Sequence, residues 1–98
     1  MAEWSVYIIR CSDGSLYTGI TNDLERRVQQ HASKQGAKYF RGRRPQALVY
    51  VEDGHDRSSA SQREAQIKKL TRPAKERLLV SASNAIDAIP MARDIAAS

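Results

Sequence analysis

The feature that most constrains this chain is a pair of strand-like runs joined by a short polar turn. Residues 4–10 and 16–20 are rich in β-branched and aromatic side chains, which strands favour. The segment between them, Cys11-Ser12-Asp13-Gly14-Ser15, contains Asp-Gly, a strong turn signal. The chain therefore begins with a β-hairpin.

The length of the hairpin loop decides which side chains share a face of the sheet. A two-residue loop at Asp13-Gly14 would put Tyr7 and Tyr17 on opposite faces. A three-residue loop, with Gly14 in the left-handed region, puts both tyrosines on one face and Gly19 opposite Tyr7. We favour the second register, because it separates the apolar side chains from two phenols that are either ordinary strand tyrosines or the floor of a polar site. The apolar face then carries Val6, Ile8, Leu16, Thr18 and Ile20.

Composition bounds the class of protein. The 98 residues suffice for one small domain, and a net charge of +5 with a pI near 9.7 favours a polyanionic partner, nucleic acid first and an anionic membrane surface second. The single cysteine, Cys11, allows neither an internal disulfide nor a Cys-rich zinc site and fits a reducing compartment. Without an apolar run of membrane-spanning length or a signal pattern near Glu3, we expect a cytoplasmic protein and no membrane partner.

A helix follows the hairpin. Asn22 with Glu25 predicts an N-cap and capping box, and the helix is expected to run from Asp23 to residue 33 or 34. Arg27 and His31 are four residues apart, so they share a face beside the apolar stripe. They are either a snorkelling arginine and a surface histidine or a pair directed at the edge of the sheet.

A basic loop is predicted over residues 35–45, which contain two glycines and a proline. Aromatic residues at positions 39 and 40 lie among its cations, as in surfaces that contact phosphates and bases. A solvated loop with Phe40 filling the core fits the pattern equally well. The loop cations proposed to bind nucleic acid are Lys38, Arg41, Arg43 and Arg44.

Residues 47–53 predict the third strand, followed by a turn in which His55 is expected to be exposed. Ser58 or Ser59 should cap a second helix that reaches about Leu70, and a third helix should start near Pro73. Residues 82–98 are Ala/Ser-rich and are predicted to be a partly ordered or disordered tail, which leaves residues 1–81 as the domain.

One carboxylate is out of place in the second helix. Glu64 shares a stripe with Ala60 and Ile67, a face that should point inward. A buried carboxylate must be paired, protonated or bound to a cation. The alternatives are an ion pair with Arg63 or Lys68, simple exposure, or a site for Mg²⁺, which commonly uses one or two protein carboxylates.

The order of these features resembles the GIY-YIG nuclease domain, over residues 4–80. Ser5-Val6-Tyr7 and Tyr17-Thr18-Gly19 stand where the two signature triplets belong. Residues 23–31 are similar to the family's arginine-bearing helix, and R-E-A-Q-I-K-K-L to the helix that supplies its metal-binding glutamate. Within the family, the chain is most similar to the small single-domain bacterial proteins of the YhbQ-like (UPF0213) group.

The resemblance implies a fold and a chemistry. The fold would be α/β (α+β), a small three-stranded, largely antiparallel sheet flanked by helices. The chemistry would be metal-dependent hydrolysis of phosphodiester bonds, with Mg²⁺ or Mn²⁺ on Glu64 and Arg27 at the phosphorus centre. Tyr17, assisted by Tyr7, would activate or position the water, its pKa lowered by the metal and Arg27, with His31 as the rival base. Gly19 would allow backbone or substrate to approach closely.

Two departures from the family pattern bear on function. Ser5 replaces a glycine, and the asparagine that some members carry about a dozen residues beyond the glutamate is absent until Asn84. The missing asparagine favours weak or lost catalysis, but the resemblance as a whole implies an endonuclease acting on DNA rather than RNA, structure-preferring and linked to repair or recombination. The alternatives are a nucleic-acid-binding module with weak or lost catalysis and a domain that docks a protein partner. Lys68 completes the proposed nucleic-acid-binding set.

Overall fold

The computed structural model describes residues 3–32 and 45–86. Over these ranges the predicted α/β (α+β) architecture is confirmed: three antiparallel strands in the order β2-β1-β3, flanked by helices. Residues 35–44 of the predicted basic loop, with Lys38, Arg41, Arg43 and Arg44, lie outside the described residues, and Pro45 begins the third strand. The elements are β1 (Trp4–Cys11), β2 (Leu16–Thr21), α1 (Leu24–Ala32), β3 (Pro45–His55), α2 (Arg57–Lys68) and α3 (Arg72–Leu79).

The hairpin between β1 and β2 has the three-residue loop. The Cys11 amide donates to the Ser15 carbonyl at 2.9 Å, and Gly14 has a φ of 83°, the left-handed conformation that this loop requires. Tyr7 consequently lies opposite Gly19 in the strand ladder. The favoured register is confirmed, and with it the shared face of the two tyrosines.

Both faces of the sheet are buried. On the first face, Tyr7 and Ile9 pack with Val28 of α1. On the second face, Val6 and Ile8 pack with the α2 residues Ala60 and Ile67. The helix carrying Arg27 and the helix carrying Glu64 therefore cover opposite faces of one sheet.

Two helices begin at caps other than those predicted. The Asp23 carboxylate accepts the Arg26 amide at 3.2 Å, so Asp23 and not Asn22 caps α1. Asp56 caps α2, accepting the Ser59 amide at 2.7 Å, where Ser58 or Ser59 was expected. Neighbouring Asn, Asp and Ser side chains can all cap a helix, so sequence alone does not separate adjacent candidates. Thr71 caps α3, with Pro73 in its first turn as predicted.

The residues after α3 attach to the outer edge of β3. The Asn84 amide nitrogen donates to the carbonyls of Val49 at 2.9 Å and Leu79 at 2.8 Å, and its oxygen accepts the Val51 amide at 3.1 Å. The Ala85 amide then donates to the Val51 carbonyl at 2.8 Å, and Ile86 is buried in the first-face core. The part of the predicted tail that the structure describes is thus packed against the sheet.

Candidate active site

Tyr7 and Gly19 form the base of the candidate site. Tyr7 is fully buried at the centre of β1, and its ring lies directly over Gly19 on β2. A Cβ atom at position 19 would stand 2.6 Å from the Tyr7 hydroxyl oxygen and 2.7 Å from Cζ, closer than such atoms approach. Glycine is therefore required here by the Tyr7 ring, whereas the sequence had suggested close approach of backbone or substrate.

Arg27 reaches this pair from α1. Its Nε donates to the Tyr7 hydroxyl oxygen at 3.3 Å, and its Nη1 donates to Gln30 Oε1 at 3.2 Å. Gln30 lies one helical turn beyond Arg27, so a residue of the same helix accepts the second hydrogen bond of the guanidinium. Of the two alternatives for Arg27, the structure shows the one directed at the sheet.

Tyr17 completes what we call the Arg27 cluster: Arg27, Tyr7, Tyr17 and Gln30. The Tyr17 and Tyr7 rings are 6.2 Å apart and tilted by 51°, a favourable aromatic arrangement. Unlike Tyr7, Tyr17 is only half-buried, since β2 is an edge strand. Tyr17 is thus the phenol of the cluster that solvent reaches.

The electrostatics of the cluster keep Tyr7 neutral. Burial raises the pKa of Tyr7 far above its ordinary value, and the hydrogen bond from Arg27 offsets only part of this rise. The same hydrogen bond raises the pKa of Arg27, which stays charged. Arg27 acts to lower the pKa of Tyr7, as expected, but desolvation outweighs the cation and the pKa stays above its ordinary value.

Glu64 lies on α2 between the buried residues Ala60 and Ile67. Its side chain is 25% exposed and forms an ion pair with Lys68 Nζ at 3.4 Å. The Lys68 alternative is therefore the one the structure shows. Because α2 covers the face opposite Tyr7, a cleft shared by Glu64 and the Arg27 cluster would have to pass around the edge of β2, the strand that carries Tyr17.

Arg63 has a different partner, in a network that the sequence did not predict. Its Nε donates to both carboxylate oxygens of Glu52 at 3.1 Å, while the Tyr50 hydroxyl donates to Glu52 Oε1 at 2.6 Å. His55 Nε2 lies 2.6 Å from Glu52 Oε2, and its Nδ1 lies 2.9 Å from the Ser59 hydroxyl.

The expectation of an exposed His55 is wrong. Its side chain is 19% exposed, because β3 continues to residue 55 and does not turn at Gly54. Burial works to raise the pKa of Glu52, but the hydrogen bonds from Tyr50, His55 and Arg63 outweigh it and lower the pKa. Glu52 and His55 are three residues apart on β3, and side chains at that spacing on a regular strand point to opposite faces, so the strand periodicity did not indicate this network.

Comparison with known proteins identifies the family. Residues 3–77 match the GIY-YIG catalytic domain. The chain belongs to the GIY-YIG family. This family is one of nucleases, which act on nucleic acid and generally use divalent metal ions.

Several relatives share most of the length of the GIY-YIG domain. A UPF0213 protein from Desulfotalea psychrophila is 54% identical over 82% of this chain and 73% of its own length. The UPF0213 protein YhbQ from Escherichia coli K12 is 49% identical over 81% of this chain and 79% of its own length. A solution NMR structure of a UPF0213 protein from Bacillus halodurans is 41% identical, covers 87% of this chain and 90% of that one, and superposes with a TM-score of 0.55.

Glu64 is the carboxylate of the described residues that is predicted to bind a metal ion. The residues that the structure describes include no group of three or more His, Cys, Asp or Glu side chains that could hold a metal. Glu64 supplies hard oxygen ligands at a partly exposed position, and its ion pair with an exposed lysine is easily exchanged. This fits Mg²⁺ or Mn²⁺ bound through one carboxylate, with water and substrate phosphate as further ligands.

The other predicted site residues are His31, Lys68 and the cations of the basic loop, and the structure describes only some of their side chains. His31 belongs to α1, but its side chain lies outside the described residues, as do the loop cations. Lys68, predicted to bind nucleic acid, is 55% exposed beside Glu64. Within the described residues, no helix has the length and apolar character needed to cross a membrane.

Proposed function

We propose that this protein is a metal-dependent endonuclease that hydrolyses phosphodiester bonds in DNA. The observation that carries the proposal is the Arg27 guanidinium, held by Tyr7 and Gln30 beside the half-exposed Tyr17. A phosphodiester repels nucleophiles by its negative charge, so a fixed fork of N–H donors is suited to neutralise it.

Each residue of the Arg27 cluster would have a separate role in hydrolysis. Arg27 binds the phosphate oxygens and stabilises the charge that builds up when water attacks phosphorus and the P–O bond breaks. Tyr17 orients the attacking water, with His31 as the rival base. Tyr7 is a positioning residue, because it is buried, stays protonated and acts on the phosphate through Arg27.

Glu64 would hold Mg²⁺ or Mn²⁺. When bound there, the ion would polarise a phosphate oxygen and stabilise the leaving oxygen. Lys68 would release Glu64 and become available to a phosphate of the substrate strand. The scissile phosphate would then lie at the edge of β2, between the Arg27 cluster and Glu64.

The substrate proposed is DNA rather than RNA, recognised by its structure and cut in repair or recombination. The basic loop with Lys38, Arg41, Arg43 and Arg44 would bind the phosphate backbone, and a protein partner would add selectivity. Cys11 is the single cysteine of the sequence and cannot form an internal disulfide, which fits a reducing compartment, so we place the activity in the cytoplasm.

A second candidate is a nucleic-acid-binding module with weak or lost catalysis. The observation that favours it is the Glu64–Lys68 ion pair, which leaves the carboxylate occupied on the face opposite the Arg27 cluster. This candidate predicts salt-sensitive binding without cleavage, weakened by charge removal at Arg41, Arg43 and Arg44.

Cleavage assays separate the two candidates. Single-stranded, duplex and branched DNA and RNA are incubated with Mg²⁺, Mn²⁺ or EDTA and with wild type, Tyr17→Phe and Glu64→Gln. Lys69→Ala, which removes an exposed cation that follows α2, is the matched control. Metal-dependent cutting that both site variants lose and the control keeps supports the nuclease. Binding without cutting, or equal cutting by Glu64→Gln, would exclude it and leave the binding module.

A further inference from the structure

A pocket opens beside the Arg27 cluster, where β1 begins and β2 passes into α1. Its volume is about 270 Å³, just below the usual range of ligand pockets. Arg27 and Gln30 form its wall toward the cluster. The residues that line it are Trp4, Ile20, Thr21, Asn22, Asp23, Arg26, Arg27 and Gln30.

Two polar side chains of this pocket are not used by the fold. Because Asp23 caps α1, the Asn22 amide is exposed, and the structure shows no hydrogen bond to it within the described residues. Arg26 is likewise an exposed cation with no acidic partner among those residues. An amide that both donates and accepts, next to an unpaired guanidinium, suits a ligand with a polar edge and a negative charge.

The other side of the pocket is apolar. Trp4 and Ile20 line it, and both are only partly buried, against the second-face core. Arg57 lies over the Trp4 ring at 5.7 Å, so α2 holds the indole from one direction. An aromatic and an aliphatic side chain facing unpaired polar groups form the kind of surface that accepts a nucleobase.

We propose that this pocket binds the nucleoside unit next to the scissile phosphate. The inference rests on the proposed nuclease function, because Arg27 is shared by the pocket and the phosphate site. Trp4 and Ile20 contact the base or sugar, Asn22 hydrogen-bonds a base edge, and Arg26 binds the neighbouring phosphate. Cleavage would therefore depend on a base being present on that side of the cut.

The test uses the fluorescence of Trp4, the single tryptophan of the chain. The full chain is titrated in EDTA with deoxynucleoside 5′-monophosphates and with deoxyribose 5-phosphate as the base-free probe. We expect saturable quenching by the nucleotides and none by the base-free probe at the same concentration. Asn22→Ala and Arg26→Ala should each weaken nucleotide binding about 3- to 10-fold, as loss of one hydrogen bond or phosphate contact does.

Arg57→Ala is the matched control, because it removes a cation from Trp4 without lining the pocket. The Arg57→Ala variant should differ from wild type in the Trp4 fluorescence before titration, but it should bind nucleotides with the same affinity. Equal quenching by deoxyribose 5-phosphate, or affinity unchanged in both Asn22→Ala and Arg26→Ala, would overturn the inference. Nucleotide binding is measured in EDTA, so this test does not depend on cleavage. If the protein cuts DNA but binds no nucleotide in this pocket, the proposed nucleoside site is refuted and the proposed nuclease function is not.

Discussion

At the scale of single residues, the site depends on how closely Tyr7 and Gly19 approach. We predict that Gly19→Ala displaces the Tyr7 ring, because the new methyl group would lie 2.6 Å from its hydroxyl oxygen. Overpacking of this kind costs about 1–3 kcal/mol of stability, and it also breaks the Tyr7–Arg27 hydrogen bond. Urea unfolding and the cleavage assay measure the two effects.

Gly14→Ala separates the loss of stability from the loss of the site. Gly14 has a positive φ but open space around it, so alanine there strains the hairpin and moves no side chain. We expect a lower unfolding midpoint with cleavage retained. Cleavage by Gly19→Ala at the wild-type rate would contradict the role given to the Tyr7 ring.

A second residue-scale prediction concerns pH. Because burial raises the pKa of Tyr7, its phenol is protonated throughout neutral and mildly alkaline pH. Tyr7→Phe should therefore lower the cleavage rate, about 10-fold for one lost hydrogen bond to a charged group, without changing the shape of the pH–rate profile. A profile that loses its alkaline limb in this variant would show that Tyr7 is itself the base.

At the scale of elements, Asn84 makes most of the hydrogen bonds that, within the described residues, attach residues 84–86 to the sheet. Asn84 hydrogen-bonds to Val49, Val51, Leu79 and Ile86, and so ties the end of α3 to the edge of β3. Asn84→Ala should lower the free energy of unfolding by about 2–4 kcal/mol, since it leaves partly buried backbone groups unpaired. Asn22→Ala, at an exposed amide, should change it by less than about 0.5 kcal/mol. Equal stability of the two variants would contradict this.

The strands and helices were the features that the sequence predicted best. The β-branched runs and apolar stripes predicted three strands and three helices, because period and composition are local properties. The caps were assigned wrongly by one residue at α1 and by two or three at α2, since adjacent polar residues compete for the same amide. Whether Tyr7 and Tyr17 share a face of the sheet depended on the length of the hairpin loop, and the sequence allowed either two or three residues.

The Glu52 network could not be predicted in this way. Its geometry depends on the irregular pairing of β1 with β3, which shifts register between Trp4 and Val6 and again between Ile8 and Ile9. The first shift spans Gly54, whose φ of 79° is the left-handed conformation of a glycine β-bulge, whereas the sequence indicated only a turn at this residue. The contact between Arg27 and Tyr7 is similar: the helix face was predictable, and the 3.3 Å hydrogen bond followed from the packing of α1 on the sheet.

At the scale of the whole molecule, Glu52 links stability to pH. Its pKa is lowered in the folded state, so its contribution is complete above its ordinary pKa and is lost as pH falls through the lowered value. Urea midpoints measured against pH should show Glu52→Gln less stable than wild type at neutral pH. The difference should shrink in acid, whereas a difference that is constant with pH would contradict this.

Glu76→Gln provides the matched control for this measurement. Glu76 pairs with Arg72 at 2.7 Å and with Arg10 at 3.4 Å, but its side chain is 42% exposed. Exposed ion pairs contribute little to stability because solvent screens them. The midpoint of this variant should therefore follow that of wild type across the pH range.

The hydrogen bonds between residues 84–86 and β3 have a consequence for how copies of this chain behave toward one another. A strand edge with unpaired amides and carbonyls recruits a strand from a neighbouring molecule. Asn84 and Ala85 occupy the outward amide and carbonyl of Val51 and so cover the middle of the β3 edge. Release of residues 84–86 would leave this stretch of β3 open to pairing with a strand of a second copy of the chain.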